Sequence, residues 1–371
     1  KESFGGIWFA GTPLQRRYGI RDGAELGLRD WHAFAEFGPE DHWPRAWAEA
    51  YVHRANEEIF DWLKRIGVEF MPMPLWVERG LHTPGNSVPR WHIVWGTGHE
   101  LAVVLNRHLL AHPRRSLLDL RFGHRVESLA TSNGRVNGCR GVLEGSDEEF
   151  EAQAESVVIA SGGINGDIAR VRQHWHTDWG RPPETILNGS HKYADGRLHD
   201  AASSLGANVT HLDWQWNYAA GVHHWQPRKP GHGLSLVPPK SALWLDWRGE
   251  RIGPMPLVTG FDTHDLVGQI CRQQRGYSWQ LLNRRIALKE LAVSGGEFNP
   301  AFRDKKKLAV ARDMLRGNRW LYDQLTQNCP DFVVGETLPE LVAKMNALVG
   351  DGSVSLDAVT ESATRYDERI D

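Results

Sequence analysis

The sequence predicts an α/β fold with additional α+β elements, and three features support this class. The apolar, β-branched run Glu155–Ala160 leads directly into Gly162 and Gly163, as expected of a buried parallel strand that ends in a glycine turn. The pair Asn133–Gly134 between two short apolar segments predicts a β-hairpin. Apolar residues recur at helical spacing in several other segments. Open α/β sheets bind nucleotides at such a turn, although a strand-to-helix turn without a ligand is the alternative.

Composition indicates an ordinary globular protein of two domains. Of its 371 residues, 41% are hydrophobic and 24% charged, and the net charge of -3 argues against a general nucleic-acid or anionic-membrane binder. No apolar run approaches the roughly 20 residues that cross a bilayer. Cys139, Cys271 and Cys329 are too far apart for a Cys-x-x-Cys metal site or a disulfide framework. We therefore predict a cytoplasmic protein with no metal centre.

The first predicted elements are a long helix and a loop. Apolar residues at helical spacing between Pro44 and Ile66, with Gly67 beyond, predict one amphipathic helix whose apolar set includes Trp47. A short strand follows at 68–70, and the prolines after it exclude a helix. The polar segment 79–92 is then long enough to be a functional loop.

The middle of the chain is predicted to contain a helix and a β-meander. Gly96, Thr97 and Gly98 open a helix for which Thr97 is the expected cap. A strand is predicted at 117–122. Two antiparallel strands, 125–129 and 136–142, then join through the Asn-Gly turn and lead into the apolar strand that ends at Ala160.

The last third of the chain combines scattered strands with well-marked helices. An alanine-rich helix is predicted at 198–205, and strands near 242–246 flank a turn at 248–251. Thr337 and Glu340 form a capping-box pattern ahead of one closing helix, and Ser355 is the expected cap of another.

Aromatic side chains are unusually distributed, with 17 Trp beside only 7 Tyr. Trp214, Trp216 and Tyr218 could form a flat surface for a ring-shaped or sugar ligand, although core and interface packing is the more common role. His223 and His224 are poorly placed for a shared metal ion because adjacent side chains on a strand point to opposite faces.

Several segments together resemble one family of flavoproteins. The strand and turn at 156–165, the meander before it, the Asp195–Gly196 pair, the turn at 248–251 and the closing helices are similar to the succinate dehydrogenase and fumarate reductase flavoprotein superfamily. Further segments resemble a bacterial FAD-binding dehydrogenase subfamily related to 3-ketosteroid dehydrogenases: Gln15–Arg17, Trp43–Tyr51, Gly85–Arg90, Trp95–Gly98 and Gly276–Trp279.

This resemblance implies a domain organisation. It implies an incomplete Rossmann-like FAD-binding domain at 1–50 and 93–200, a substrate-side insertion at 51–92, and an α+β capping or substrate domain at 201–371. Family members also carry a Gly-x-Gly-x-x-Gly turn near their start and a glycine-rich segment near their end. Because neither is found here, we expect a chain truncated at both ends, for which the sequence leaves the binding of FAD open.

The resemblance also implies residues for the cofactor FAD. Gly5 and Gly6, with Ser3, would lie under the flavin and pyrophosphate, unless they form an ordinary flexible terminus. Val126 would meet the adenine through its backbone, and Asp195 would accept from a ribose or ribityl hydroxyl, unless it forms only an Asp-Gly turn. The adenosine and pyrophosphate would be lined by Ala160, Ser161, Gly162 and Gly163.

The implied chemistry is oxidation or reduction of a carbon–carbon bond beside a carbonyl in an apolar, steroid-like substrate, with an unknown electron acceptor. This requires a base and groups that polarise the carbonyl. Tyr277 is the candidate base, with a buried structural tyrosine as the alternative. Arg90 and His92 are candidates for holding a substrate carbonyl or carboxylate, with surface salt bridging and packing as the alternatives. The rival functions are a Trp-rich, non-catalytic ligand- or carbohydrate-binding module and an inactive fragment of the flavoenzyme.

Overall fold

The structure is a computed structural model that describes residues 3–76, 85–237, 239–253 and 262–368. Helices and short strands alternate through these ranges, which confirms the mixed α and β class. The α-helices in chain order are α1 (Pro13–Arg17), α2 (Ala24–Ala35), α3 (His42–Ala55), α4 (Trp62–Arg65), α5 (Thr97–Leu110), α6 (Ile168–Gln173), α7 (Arg197–Ser203), α8 (Thr263–Cys271), α9 (Arg284–Glu290), α10 (Pro300–Arg303), α11 (Lys307–Arg316), α12 (Arg319–Asn328), α13 (Leu338–Val349) and α14 (Leu356–Asp367).

The strands are short, and every pairing between the named strands is antiparallel. They are β1 (Gly6–Trp8), β2 (Trp91–Ile93), β3 (His124–Ser132), β4 (Arg135–Leu143), β5 (Glu149–Gln153), β6 (Gly221–His223), β7 (Gly233–Val237), β8 (Leu243–Leu245), β9 (Trp279–Leu281) and β10 (Ala292–Val293). These strands form four sheets with the orders β1-β2, β3-β4-β5, β10-β7-β6 and β8-β9.

The predicted β-meander is present. The strands β3, β4 and β5 pair in sequence order, and β3 joins β4 at Asn133 and Gly134. These two residues have φ angles of 51° and 72°, as a two-residue hairpin turn requires of both central positions. The Asn-Gly signal therefore located this hairpin to within two or three residues at either end.

The prediction of a buried strand at Glu155–Ala160 is wrong. None of these residues is in a strand, and the side chains of Val158 and Ile159 are 88% and 38% exposed. A central parallel strand needs backbone partners on both edges and apolar cover on both faces. Among the described residues, no strand pairs with this segment, so it carries strand-like residues without a sheet to join. The parallel sheet of a Rossmann-like domain is therefore not formed in the described ranges.

The strand predicted at 117–122 is also wrong, for a similar reason. Residues Arg115–Leu117 form a 3-10 turn, and the segment after it has no strand. The side chains of Leu117 and Phe122 are 72% and 84% exposed. Apolar composition alone predicted this strand, and the described part of the chain offers it no neighbouring strand.

The long helix predicted between Pro44 and Ile66 is confirmed in extent but differs in detail. It runs through α3 and α4 with one π-helical turn, Asn56–Asp61, between them. Its buried face is made by Ala48, Val52 and Leu63, whereas Trp47 is 73% exposed. Placing Trp47 on the buried face was therefore an error. The π-helical turn admits one extra residue and shifts the buried face along the helix.

The predicted helix caps are partly confirmed. Thr337 and Ser355 accept hydrogen bonds from the backbone amides of Glu340 (3.3 Å) and Ala358 (3.2 Å) and begin α13 and α14. Thr97 is the first residue of α5 rather than its cap, and Gly96 precedes it with a φ of 102°. The alanine-rich helix is present as α7. The predicted loop at 79–92 lies partly outside the described residues, and its end forms β2.

Apolar cores lie in both halves of the chain. In the N-terminal half, Phe9, Phe60 and Val94 pack beneath β1, β2 and α5. In the C-terminal half, one core joins β6, β7, α8 and α12, and a second joins β8, α13 and α14. Among the described residues, no helix is both long enough and apolar enough to cross a bilayer.

Candidate active site

A cleft of about 2110 Å³ opens in the C-terminal half of the chain, bounded by the segment 180–190, the strands β6 and β7, and the helices α8 and α13. This volume exceeds the 300–1,000 Å³ usual for a site that holds one small ligand. The cleft therefore has room for a large ligand or for two. Apolar side chains contribute much of its wall, among them Ile186, Leu187, Val222, Leu281, Met345 and Leu348.

Four residues that line this cleft carry buried polar atoms that have no hydrogen-bond partner among the described residues. The atoms are the Tyr277 hydroxyl, the indole nitrogens of Trp175 and Trp279, and the Gln273 Oε1 atom. Buried polar atoms are nearly always paired, because an unmet hydrogen bond costs about 1–3 kcal/mol. Three of the four can donate a hydrogen bond. Such groups in an apolar wall suit a hydrophobic ligand that carries a carbonyl oxygen.

Tyr277 is the predicted catalytic residue that lines the cleft. Its ring packs edge-on against Trp279, with the ring centres 5.7 Å apart. The guanidinium of Arg275 lies 2.6 Å from Asp351, which raises the pKa of Arg275, and it lies near the Tyr277 hydroxyl without forming a well-aligned hydrogen bond to it. A permanent positive charge therefore lies close to the oxygen of the Tyr277 ring.

Arg90 lies elsewhere, in the core of the N-terminal half. Only 1% of its side chain is exposed, and it forms a bidentate pair with Asp22 through two 2.8 Å bonds and a 2.7 Å bond to Asp30. Although burial disfavours its charge, these carboxylates outweigh that effect and raise the pKa of Arg90. The geometry contradicts a carbonyl-holding role and gives Arg90 a buried structural one, because its charge is already committed to two aspartates.

His92 is also a core residue. Its Nδ1 lies 2.8 Å from the Arg90 carbonyl oxygen and its Nε2 lies 2.8 Å from the Thr12 hydroxyl. The ring contacts Phe9, and burial lowers the pKa of His92 to about 4. Both nitrogens are paired and neither His92 nor Arg90 lines the cleft. The expectation that His92 holds a substrate carbonyl is therefore contradicted, and the packing alternative holds.

The glycine turn after Ala160 presents bare main chain at the surface. Ala160, Ser161, Gly162 and Gly163 are all exposed, and Gly162 has a φ of 82°. A Cβ atom added at Gly163 would meet nothing within 4 Å. No described protein group accepts a hydrogen bond from the amides of residues 161–163. Open main-chain N–H groups of this kind suit the anionic oxygens of a nucleotide.

Asp195 lies directly against this glycine turn. The amide of Gly166 donates to the Ala194 carbonyl at 2.8 Å, and a Cβ atom at Gly196 would approach Ile164 to 2.9 Å. One oxygen of Asp195 accepts from the Arg197 amide at 3.0 Å. This bond is the one an Asp-Gly turn would make, and the second carboxylate oxygen lies 3.7 Å from Nε of Arg197.

Val126 is connected to the Asp195 region through its neighbour Glu127, which forms a salt bridge with Arg197. Val126 is in β3 and pairs with Gly141 of β4, immediately before an irregularity in the register of the two strands. The next residue, Glu127, accepts from Arg197 at 2.6 Å, and α7 packs on β3. The contacts of Arg197 with Glu127 and Asp195 therefore join the strand that carries Val126 to the Asp195–Gly196 turn.

The N-terminal candidates pack against other parts of the protein. Gly5 has a φ of 69°, and a Cβ atom there would lie 2.6 Å from the Gly98 nitrogen. A Cβ atom at Gly6 would overlap the indole of Trp91. The Ser3 hydroxyl accepts a hydrogen bond from the Gly5 amide. Ser3 is exposed and lines the cleft described above. Packing by itself thus explains why residues 5 and 6 are glycines.

Sequence reasoning missed several residues of the cleft. Trp279 lies two positions after Tyr277 in the same short motif, so its indole could have been noted as a donor. Arg275 was equally close in sequence. Gln273 lies four positions before Tyr277, whereas Trp175 and Asp351 come from distant segments that only folding brings to this region.

Comparisons with known proteins agree on one family. A family model described as FAD binding domain matches residues 2–310. A KsdD-like steroid dehydrogenase of Mycolicibacterium smegmatis is 38% identical, over 99% of this chain and 70% of that protein. KsdD-like steroid dehydrogenases from the CDC 1551 and H37Rv strains of Mycobacterium tuberculosis are also 38% identical, over 99% of this chain and 68% of each protein.

Proposed function

Because the chain belongs to the family of FAD binding domains and is an FAD-dependent oxidoreductase, we propose that it oxidises a carbon–carbon bond beside a carbonyl in an apolar, steroid-like substrate. Three relatives named steroid dehydrogenases support this substrate class. The observation that carries the proposal is the apolar cleft in which the buried Tyr277 hydroxyl has no described hydrogen-bond partner.

The cofactor side of the proposal rests on the exposed glycine turn. The amides of residues 161–163 would meet the pyrophosphate, Asp195 would accept from a ribose or ribityl hydroxyl, and the backbone of Val126 would meet the adenine. Ser3, Gly5 and Gly6 would approach from the side of the cleft. Bound FAD supplies the hydride acceptor that the oxidation requires.

The substrate side of the proposal rests on the wall around Tyr277. The indole N–H groups of Trp175 and Trp279 would donate to the substrate carbonyl, which makes the hydrogens on the neighbouring carbon more acidic. Tyr277 would then act as the base that removes the proton, with the guanidinium of Arg275 beside it. The apolar wall excludes water from the reacting carbons.

The test is to replace Tyr277 in the FAD-loaded protein and to measure oxidation of a 3-ketosteroid with an artificial electron acceptor. Tyr277→Phe should lower kcat at least about 100-fold, as loss of a general base does, while flavin content and steroid binding are unchanged. Trp279→Phe removes only an N–H group and should lower kcat/KM about tenfold, the size of one lost hydrogen bond.

Tyr18→Phe is the matched control, because Tyr18 is an exposed tyrosine and its replacement should leave the rate unchanged. Full activity of the Tyr277→Phe protein would overturn the assignment of the base. Failure of the wild-type protein to oxidise any ketosteroid, despite bound FAD, would overturn the substrate class.

A further inference from the structure

Two imidazoles and a carboxylate meet beside the cleft, at residues that the proposed reaction does not use. One nitrogen each of His176 and His264 and one oxygen of Asp178 all lie within 4.8 Å of one another. We propose that these three residues bind one divalent transition-metal ion of the Zn²⁺ type, and that the ion joins the turn at 176–179 to the start of α8.

The chemistry of these residues suits such an ion. Two histidines and one carboxylate are a common protein ligand set for Zn²⁺ and related metals, with water in the remaining position. His176 is buried, so one of the two imidazole ligands is held in place by the protein around it.

The two backbone segments that carry the ligands are held together by hydrogen bonds in both directions. The Trp179 indole donates to the His264 carbonyl at 2.9 Å, and Arg272 donates to the Asp178 carbonyl at 3.0 Å. The first bond runs from the turn to α8, and the second runs from the residue after α8 back to the turn. The site is therefore positioned by the scaffold before any ion binds.

His176 has a carboxylate near each of its ring nitrogens. Its Nδ1 lies 3.9 Å from Asp178, and its Nε2 lies 3.9 Å from Asp213. Metal-bound histidines usually donate their other N–H to a carboxylate, which fixes the ring. Asp213 is placed for this role when Nδ1 binds the ion. Nδ1 otherwise accepts a 3.2 Å bond from the Asp178 amide, which the ion would displace.

Only a small movement is needed to close the site. Ligand atoms about 2.0–2.2 Å from a tetrahedral Zn²⁺ ion are separated by roughly 3.3–3.6 Å, about 1 Å less than the 4.8 Å limit here. The Asp178 side chain is 74% exposed and is free to rotate, whereas His176 is buried and fixes one side of the site.

The position of the ion would affect the wall of the cleft. Trp175 precedes the turn, and Val267 and Ile270 of α8 follow His264; all three line the cleft. An ion that joins the turn to α8 would thus hold two parts of this wall together. The role is structural and does not depend on the proposed oxidation.

The test measures metal binding by the FAD-loaded protein after treatment with a chelator. Calorimetric titration with ZnCl₂ should show one ion per chain, and Co²⁺ should give visible difference bands typical of tetrahedral coordination. Asp178→Asn and His264→Gln should each weaken Zn²⁺ binding by more than the 10–100-fold typical of a partner outside the ligand set. Asp213→Asn should fall within that range.

The control replaces one member of a different pair of histidines. His108 and His112, with ring centres 6.4 Å apart near the end of α5, could bind metal adventitiously, so His112→Gln should leave the measured affinity unchanged. The proposal is overturned if the wild-type protein binds no Zn²⁺, or if Asp178→Asn and His264→Gln, both folded by circular dichroism, bind it as tightly as wild type. It is also overturned if His112→Gln abolishes binding.

Discussion

At the scale of single residues, the N-terminal core depends on a buried charge. Arg90 is enclosed by Asp22 and Asp30, and the Asp30 carboxylate also accepts from the Ser87 hydroxyl and amide. Burial opposes the ionisation of Asp30, but its hydrogen bonds to Ser87 and Arg90 outweigh this and lower its pKa. Removing one partner of such a group leaves an uncompensated buried charge, which makes the whole cluster interdependent.

His92 makes the stability of the protein dependent on pH. Its folded-state pKa of about 4 lies below the usual 6.5 because of burial, so between these values the unfolded chain binds a proton that the folded chain does not. Stability is therefore lost as pH falls through this window. Between pH 7 and pH 5 we expect a loss of about 2 kcal/mol from this residue.

Urea unfolding at pH 7 and pH 5 tests this expectation. The His92→Gln protein should lose about 2 kcal/mol less than wild type over this interval, whereas replacing the exposed His53 by Gln should not alter the wild-type slope. Equal slopes for wild type and His92→Gln would show that His92 titrates normally in the folded protein.

At the scale of elements, the glycine turn at 160–163 is the part of the proposed cofactor region whose contact with FAD can be tested by adding one methyl group. Gly163 is exposed with nothing within 4 Å of an added Cβ atom, so Gly163→Ala should leave the unfolding free energy of the FAD-free protein unchanged. If the main chain there approaches FAD closely, the methyl group should weaken FAD binding at least about tenfold, because overpacking costs about 1–3 kcal/mol.

Fluorescence titration with FAD and thermal unfolding of the FAD-free protein measure the two effects separately. Gly352→Ala is the matched control, since Gly352 is also exposed with nothing within 4 Å and lies in the C-terminal part of the chain. Unchanged FAD affinity in Gly163→Ala would place the cofactor away from this turn.

The elements that could be predicted from the sequence are those whose signals are local. The Asn133–Gly134 hairpin and the caps Thr337 and Ser355 depend on residues within a few positions of one another, and the structure confirms them. The strands predicted at 117–122 and at Glu155–Ala160 depended on partners elsewhere in the chain. Composition shows that a segment suits a strand, but it does not show whether another strand lies beside it.

At the scale of the whole molecule, the candidate site combines distant parts of the sequence. Family resemblance led to Tyr277 and to the glycine turn, because both lie in short motifs. It also led to Arg90 and His92, whose roles the structure contradicts, since a motif does not reveal which of its side chains are buried. The cluster of His176, Asp178 and His264 was not predicted, because the sequence separates its members by 88 residues.

FAD should stabilise the folded protein as a whole, because the unfolded chain does not bind it. With free FAD at 100 times its dissociation constant, the unfolding free energy should rise by about 2.7 kcal/mol. Removing FAD should therefore lower the melting temperature, and adding FAD back should restore it. ADP serves as a control that lacks the flavin. A melting temperature that does not respond to FAD would contradict this prediction.

The solvent-exposed run that ends at Ala160 has a consequence for the behaviour of concentrated solutions. Residues 156–160 contain neither proline nor charge and are rich in β-branched side chains, a combination that favours intermolecular cross-β pairing. The flanking Glu155 acts as a gatekeeper against this self-association through charge repulsion. We therefore expect the colloidal stability of the purified protein to depend in part on this one acidic side chain, so that Glu155→Gln promotes aggregation.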